Sequence, residues 1–141
     1  MSFQEKSAWI MSFALLASSI FYFGVVMSMS QEVGHWAAPN LPVVVIYTVI
    51  LTLIAIVGHV VIAVLAPKEA NANPDERERE VVFRASHLSG YVFGVGVLLS
   101  LGLYLFVHDG NLLFYSVFGS LIVSQLSEYL FQIFISRTVV V

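Results

Sequence analysis

The sequence contains no cysteine and little charge: only 11% of its 141 residues are Asp, Glu, Lys or Arg. Without cysteine there is no disulfide, thiol nucleophile or thiolate metal ligand. Soluble domains carry charge on about a quarter of their residues, so this deficit excludes a soluble globular domain. The net charge is −3, and the lack of a basic excess argues against a nucleic-acid-binding protein.

Hydrophobic residues make up 59% of the chain and fall in four long runs. These runs cover residues 8–29, 41–66, 88–107 and 112–136. A helix needs about 20 apolar residues to cross a bilayer, and the continuous rather than alternating runs indicate helices. We therefore predict an all-α integral membrane four-helix bundle, in which residues 1–141 form a single transmembrane domain.

All six basic residues are expected on one side of this bundle. They are Lys6 before the first span, Arg137 after the fourth, and Lys68, Arg77, Arg79 and Arg84 between the second and third. The connections 30–40 and 108–111 contain none. By the positive-inside rule, both termini and the loop 67–87 are predicted to be cytoplasmic.

The loop before the third span contains the signals of a helix start. Residues 73–76 combine a capping residue, a proline and two acids, an order typical of a helix N-terminus. We therefore expect the third helix to begin in the cytoplasm and to continue through its span. Two acid-first pairs at four-residue spacing favour this extension, namely Asp75 with Arg79 and Glu80 with Arg84.

The mixed charges of this extension have two interpretations. The first is a solvated helix whose acids and bases pair with each other. The second is a docking surface for a cytoplasmic protein, since neighbouring charges of both signs give electrostatic specificity. The candidate docking residues are Asp75, Glu76, Arg77, Arg79 and Arg84.

The Asp75-Glu76-Arg77 motif, followed by Arg84 and by an acid beside a serine in the fourth span, resembles a known family. It is similar to a family of small, uncharacterised four-helix bacterial membrane proteins with a cytoplasmic Asp-Glu-Arg motif before the third helix. The resemblance covers the C-terminal half of the chain. It implies the same topology, a location in a bacterial inner membrane, and no particular activity.

Two ionisable side chains other than tyrosine lie within the predicted spans, His59 in the second and Glu128 in the fourth. Each lies nine residues before the next basic residue, which puts both about 13 Å from the cytoplasmic edge at 1.5 Å per residue. Ser124 and Gln125 lie beside Glu128 on a polar stripe. This group either forms hydrogen bonds between helices or is a proton-binding or cation-binding site.

Small residues at four-residue spacing mark one face of the third span. They are Ser86, Gly90 and Gly94. Glycines at this spacing allow two helix backbones to approach closely. We predict a helix-packing face here, with the partner helix either in the same chain or in another copy.

No nucleotide-binding, zinc-binding or nucleophile motif is present, and we predict no cofactor. The favoured hypothesis is a non-enzymatic accessory or regulatory subunit, in contact with lipid and in a homo-oligomer or larger membrane-protein complex. One alternative is a small proton-coupled transporter that uses Glu128. A second alternative is a haem- or quinone-binding redox subunit, although His59 and His87 lie at different depths and so do not match as axial ligands.

Overall fold

The computed structural model describes residues 1–138, and within that range the chain is helical without strands. The elements are α1 (Phe3–Val33), α2 (Leu41–Leu65), α3 (Pro67–Ala70), α4 (Glu76–Val107) and α5 (Gly110–Thr138). All except α3 are long and apolar enough to cross a membrane. The predicted all-α fold, with four helices long and apolar enough to span a membrane, is thereby confirmed. Residues 139–141 of the predicted domain lie outside the described part of the chain.

The helix ends follow local sequence signals. At the start of α1 the Glu5 N–H donates to Ser2 Oγ at 3.2 Å. At the start of α4 the Asp75 carboxylate accepts the Arg77 N–H, while the Glu78 carboxylate accepts the Asp75 N–H at 3.2 Å. This reciprocal capping box satisfies backbone donors that a helix start leaves free. The predicted extension of the third helix beyond its span is confirmed, with Asp75 rather than Asn73 as the cap.

The connection between α4 and α5 is as short as the sequence indicates. His108 adopts a left-handed backbone conformation, with φ of 57°. The carboxylate of Asp109 then accepts the N–H groups of Asn111 and Leu112, at 2.9 and 3.3 Å. The two helices therefore form an antiparallel hairpin.

The four long helices pack in a row, in the order α2, α1, α5, α4. Extensive contacts join α1 to α2, α1 to α5, and α4 to α5. A third of the residues in the most apolar part of α1 are buried, against none in the corresponding part of α2. The bundle is therefore open: α1 and α5 are its inner helices, and α2 and α4 leave broad faces exposed.

The two ends of the bundle are held by different chemistry. The basic end contains the start of α1, the end of α5 and the segment 66–75. Here Arg137 Nε donates to Glu5 Oε1 at 2.8 Å, and Lys6 pairs with Glu69 at 3.0 Å. The second pair connects α1 to α3, a single turn that the sequence did not predict. These ion pairs join the start of α1 to the end of α5 and to α3.

The opposite end, here called the aromatic end, is held by packed rings. The Tyr22 ring lies 4.8 Å from that of Phe118 and 5.6 Å from that of Tyr47, between centroids. The Tyr115 hydroxyl donates to the carbonyl oxygen of Ala37 at 2.7 Å. Aromatic pairs at these separations stabilise a core beyond the area that they bury. This cluster joins α1, α2 and α5.

Candidate functional sites on α4 and at the basic end

His59 lies against α1. Its Nδ1 is 2.7 Å from the carbonyl oxygen of Ala55, and its Nε2 is 2.7 Å from Ser7 Oγ. A carbonyl only accepts, so the proton of a neutral ring lies on Nδ1, and Nε2 accepts from the Ser7 hydroxyl. His59 therefore connects α2 to α1.

Glu128 lies on α5, whereas His59 lies on α2. Within residues 1–138 no hydrogen bond or ion pair joins the two side chains, and the extensive contacts of α2 are with α1 rather than with α5. Their grouping into one polar site therefore stays a prediction.

Ser124 and Gln125 have different environments although they are neighbours. The buried Ser124 Oγ donates to the carbonyl oxygen of Ser89 at 2.9 Å, so it connects α5 to α4. Gln125 and Glu128 are half-buried. Ser124 thus has the helix-joining role that was one of the two interpretations, while a role for Glu128 beyond packing stays a prediction.

The predicted packing face of α4 is not the face that packs in this chain. Ser86, Gly90 and Gly94 are exposed, and apart from the adjoining α4 backbone and chain neighbours no atom lies within 4 Å of the position that a Cβ would take at either glycine. The expectation of a partner helix in the same chain is therefore wrong. The alternative, a partner in another copy, stays a prediction.

The face of α4 that does pack on α5 also contains small residues. Its buried members are Val81, Ala85, Ser89 and Ser100. Between them is Gly96, where a Cβ would lie only 2.7 Å from that of Ser120. The four-residue spacing of 81, 85 and 89, and again of 96 and 100, was the signal that could have identified this face.

The exposed face of α4 also carries an aromatic stripe. The His87 ring stacks nearly parallel to Phe83 at 6.4 Å and meets Tyr91 edge-on at 5.1 Å. Phe83 and Tyr91 are 69% and 64% exposed. His87 thus lies on one outer helix and His59 on the other, so they cannot be the two axial ligands of one haem within a single copy.

The candidate docking residues are partly engaged in the fold. The Asp75 carboxylate caps α4, and Arg77 Nη2 donates to the carbonyl oxygen of Ser136 at 3.2 Å. The predicted Glu80–Arg84 pair is confirmed at 2.7 Å. The predicted pairing of Asp75 with Arg79 is wrong, because the capping bonds hold the aspartate. Two further candidates, Glu76 and Arg79, are exposed.

A polar cavity that the sequence analysis missed lies at the basic end. It has a volume of about 360 Å³ and is lined by the first turns of α1 and α4 and the last turns of α5. Three of its lining residues, one from each helix, are buried: Glu5, Val81 and Gln132. These residues are far apart in the chain, so no local pattern marks them as one site.

Comparison with known proteins yields no relative: no family model matches the chain, and no curated protein or solved structure is significantly similar to it.

Proposed function

We propose that this protein is a non-enzymatic accessory or regulatory subunit of a membrane complex, bound through the exposed face of α4. The observation that carries the proposal is that α4 packs extensively on α5 alone, while Gly90 and Gly94 point into open space. Small residues are enriched where membrane helices touch, because they let two backbones come close. The partner is therefore a transmembrane helix, from a second copy or from a larger complex.

The basic end adds a second contact region, outside the membrane. Glu76 and Arg79 are exposed at the start of α4, next to the exposed Glu80–Arg84 pair. Alternating charges of this kind steer a protein partner more than they add affinity. In this proposal the charged region orients the bound partner. The exposed face of α4 with Gly90 and Gly94 is where the partner attaches.

We further propose that the basic end faces the cytoplasm, in a bacterial inner membrane. The six basic residues all belong to segments of this end, and the two connections at the aromatic end contain none. A reporter that is active only in the cytoplasm should work when inserted within residues 70–73 and fail within residues 34–38. Activity in the second insertion would reverse the orientation.

The attachment face is tested by substituting its glycines. Differently tagged copies, and other membrane proteins, are co-purified from native membranes with the wild type, Gly90→Leu or Gly94→Leu. We expect both variants to lose co-purification while they keep the wild-type melting temperature, because no atom of the chain lies near either position.

Gly102→Leu is the matched control, since it adds the same side chain to the same helix, also in open space. It should keep the co-purifying partner. Retention of the same partners by all three variants, at wild-type abundance, would contradict attachment through Gly90 and Gly94.

A further inference from the structure

The cavity at the basic end has a buried floor and an exposed mouth. Glu5 and Gln132 are only 9% and 8% exposed, and Val81 lies beside them as an apolar wall. One helical turn nearer the end lie the exposed Arg77 and the half-buried Ser136. A ligand that enters here meets charged groups at the mouth, and a carboxylate and an amide at the floor.

The floor has hydrogen-bonding capacity that the fold does not use. Within residues 1–138, the side-chain amide of Gln132 makes no hydrogen bond, and only Oε1 of the Glu5 carboxylate accepts one, from Arg137. In the described chain, Ser12 Oγ is the side-chain atom that is both fully buried and without a hydrogen-bond partner. The free polar atoms of Glu5 and Gln132 are therefore not fully buried, and they remain accessible from the cavity. An occupant of the cavity can therefore form hydrogen bonds to both groups without displacing any bond of the fold.

We propose that this cavity binds a primary ammonium group. An ammonium offers three N–H donors and one positive charge, which match the second oxygen of Glu5 and the amide oxygen of Gln132. The lining contains three carboxylates, those of Glu5, Asp75 and Glu78, against two cationic groups, the guanidinium of Arg77 and the α-amino group of Met1, so it keeps an excess of one negative charge. No cluster of three or more metal-ligating side chains occurs in the described chain, so an organic cation fits this floor better than a metal ion.

Two sources can supply this group, a free alkyl diamine or the ethanolamine headgroup of a phospholipid. The residues at the mouth of the cavity distinguish these two sources. Arg77 is held against α5 by its bond to Ser136, and its other guanidinium N–H groups are well suited to a phosphate oxygen. An ethanolamine headgroup, with its ammonium on the floor, carries its phosphate on the side of Arg77. A diamine makes no use of that arginine.

The proposal is tested with the full chain in detergent and in lipid nanodiscs. In detergent, 1,4-diaminobutane should raise the melting temperature in a saturable way, since a ligand that binds only the folded state stabilises it. Tetramethylammonium at equal ionic strength should not, because it has the charge without an N–H. In nanodiscs, phosphatidylethanolamine should stabilise the protein more than phosphatidylcholine does.

The variants separate this cavity from non-specific binding. Gln132→Leu keeps the Glu5–Arg137 pair and should weaken the response about tenfold or more, the effect of losing a hydrogen bond to a charged group. Gln125→Leu, a half-buried glutamine on α5 outside the cavity, should respond as the wild type does. Glu5→Gln should also lose the response to the diamine. If Glu5→Gln does not fold, the response of Gln132→Leu alone tests the proposal.

Arg77→Gln distinguishes the two sources. It should abolish the preference for phosphatidylethanolamine if the headgroup is the ligand, and leave the diamine response intact if the free amine is. The proposal is overturned if neither probe stabilises the wild type, or if Gln132→Leu responds as strongly as Gln125→Leu.

Discussion

The two faces of α4 contain similar small residues and have opposite fates. Ala85, Ser89 and Gly96 lie against α5, whereas Gly90 and Gly94 face outward with no atom near them. Lipid tails are as apolar as a leucine side chain, so an outward-facing apolar helix surface carries no hydrophobic penalty in a bilayer. A small-residue pattern therefore shows where a helix can be approached closely. It does not show which helix approaches. Matched substitutions on the packed face and on the outward face of α4 test whether the two faces differ in this way.

The largest effect is expected for Gly96→Leu on the packed face. A Cβ at this position would lie 2.6 Å from Ser120 Oγ and 2.7 Å from Ser120 Cβ, so α4 and α5 must move apart. Overpacking of this kind costs about 1–3 kcal/mol. Thermal unfolding in detergent should show a lower melting temperature than the wild type has.

Gly90→Leu is the control for this change on the outward face. It adds the same side chain where nothing lies within 4 Å, so the melting temperature of the separate chain should not fall. Equal losses in Gly96→Leu and Gly90→Leu would mean that the two faces are not distinguished in the way described.

A smaller effect is expected for Ser124→Ala. The substitution removes the 2.9 Å bond from Ser124 Oγ to the carbonyl oxygen of Ser89. Hydrogen bonds between membrane helices contribute about 0.6 kcal/mol on average, so the loss in unfolding free energy should be of that order. Ser127→Ala is the control, since the Ser127 hydroxyl bonds within its own helix, to Val123. If both alanine variants unfold alike, Ser124 does not connect the two helices.

The helix starts and spans could be predicted because their signals are local. Twenty apolar residues in a row indicate a span wherever its neighbours lie, and the capping segment before α4 works through bonds to its own backbone. The extended third helix was predictable for this reason.

The order of the helices in the row could not be predicted from the same sequence. Each span is apolar on all sides, so the contrast that reveals the inner face of a soluble helix is weak here. Depth alone therefore groups His59 with Glu128, whereas the hydrogen bond between His59 and Ser7 has no signal in the sequence. The cavity was missed for a related reason, because its floor combines Glu5, Val81 and Gln132 from three separate helices.

The smallest effect is expected beyond the packed face, at the exposed pair of Glu80 and Arg84. Both side chains are more than half exposed, and Arg84 Nε donates to Glu80 Oε1 at 2.7 Å within one turn of α4. Exposed pairs at four-residue spacing contribute about 0.3–0.5 kcal/mol, and salt screens them. Arg84→Gln should therefore lower the unfolding free energy slightly at low salt and not at high salt.

Arg137→Gln sharpens this last test, because it removes the partner of a carboxylate that is only 10% exposed. A charge left unpaired in a buried position costs more than one left in water, so Arg137→Gln should destabilise the protein more than Arg84→Gln does, and high salt should abolish less of its effect. An Arg84→Gln loss as large as that of Arg137→Gln would show that the start of α4 is fixed by its outward charges. The exposed face would then be part of the fold, and the contrast between the two faces of α4 would not extend to this end.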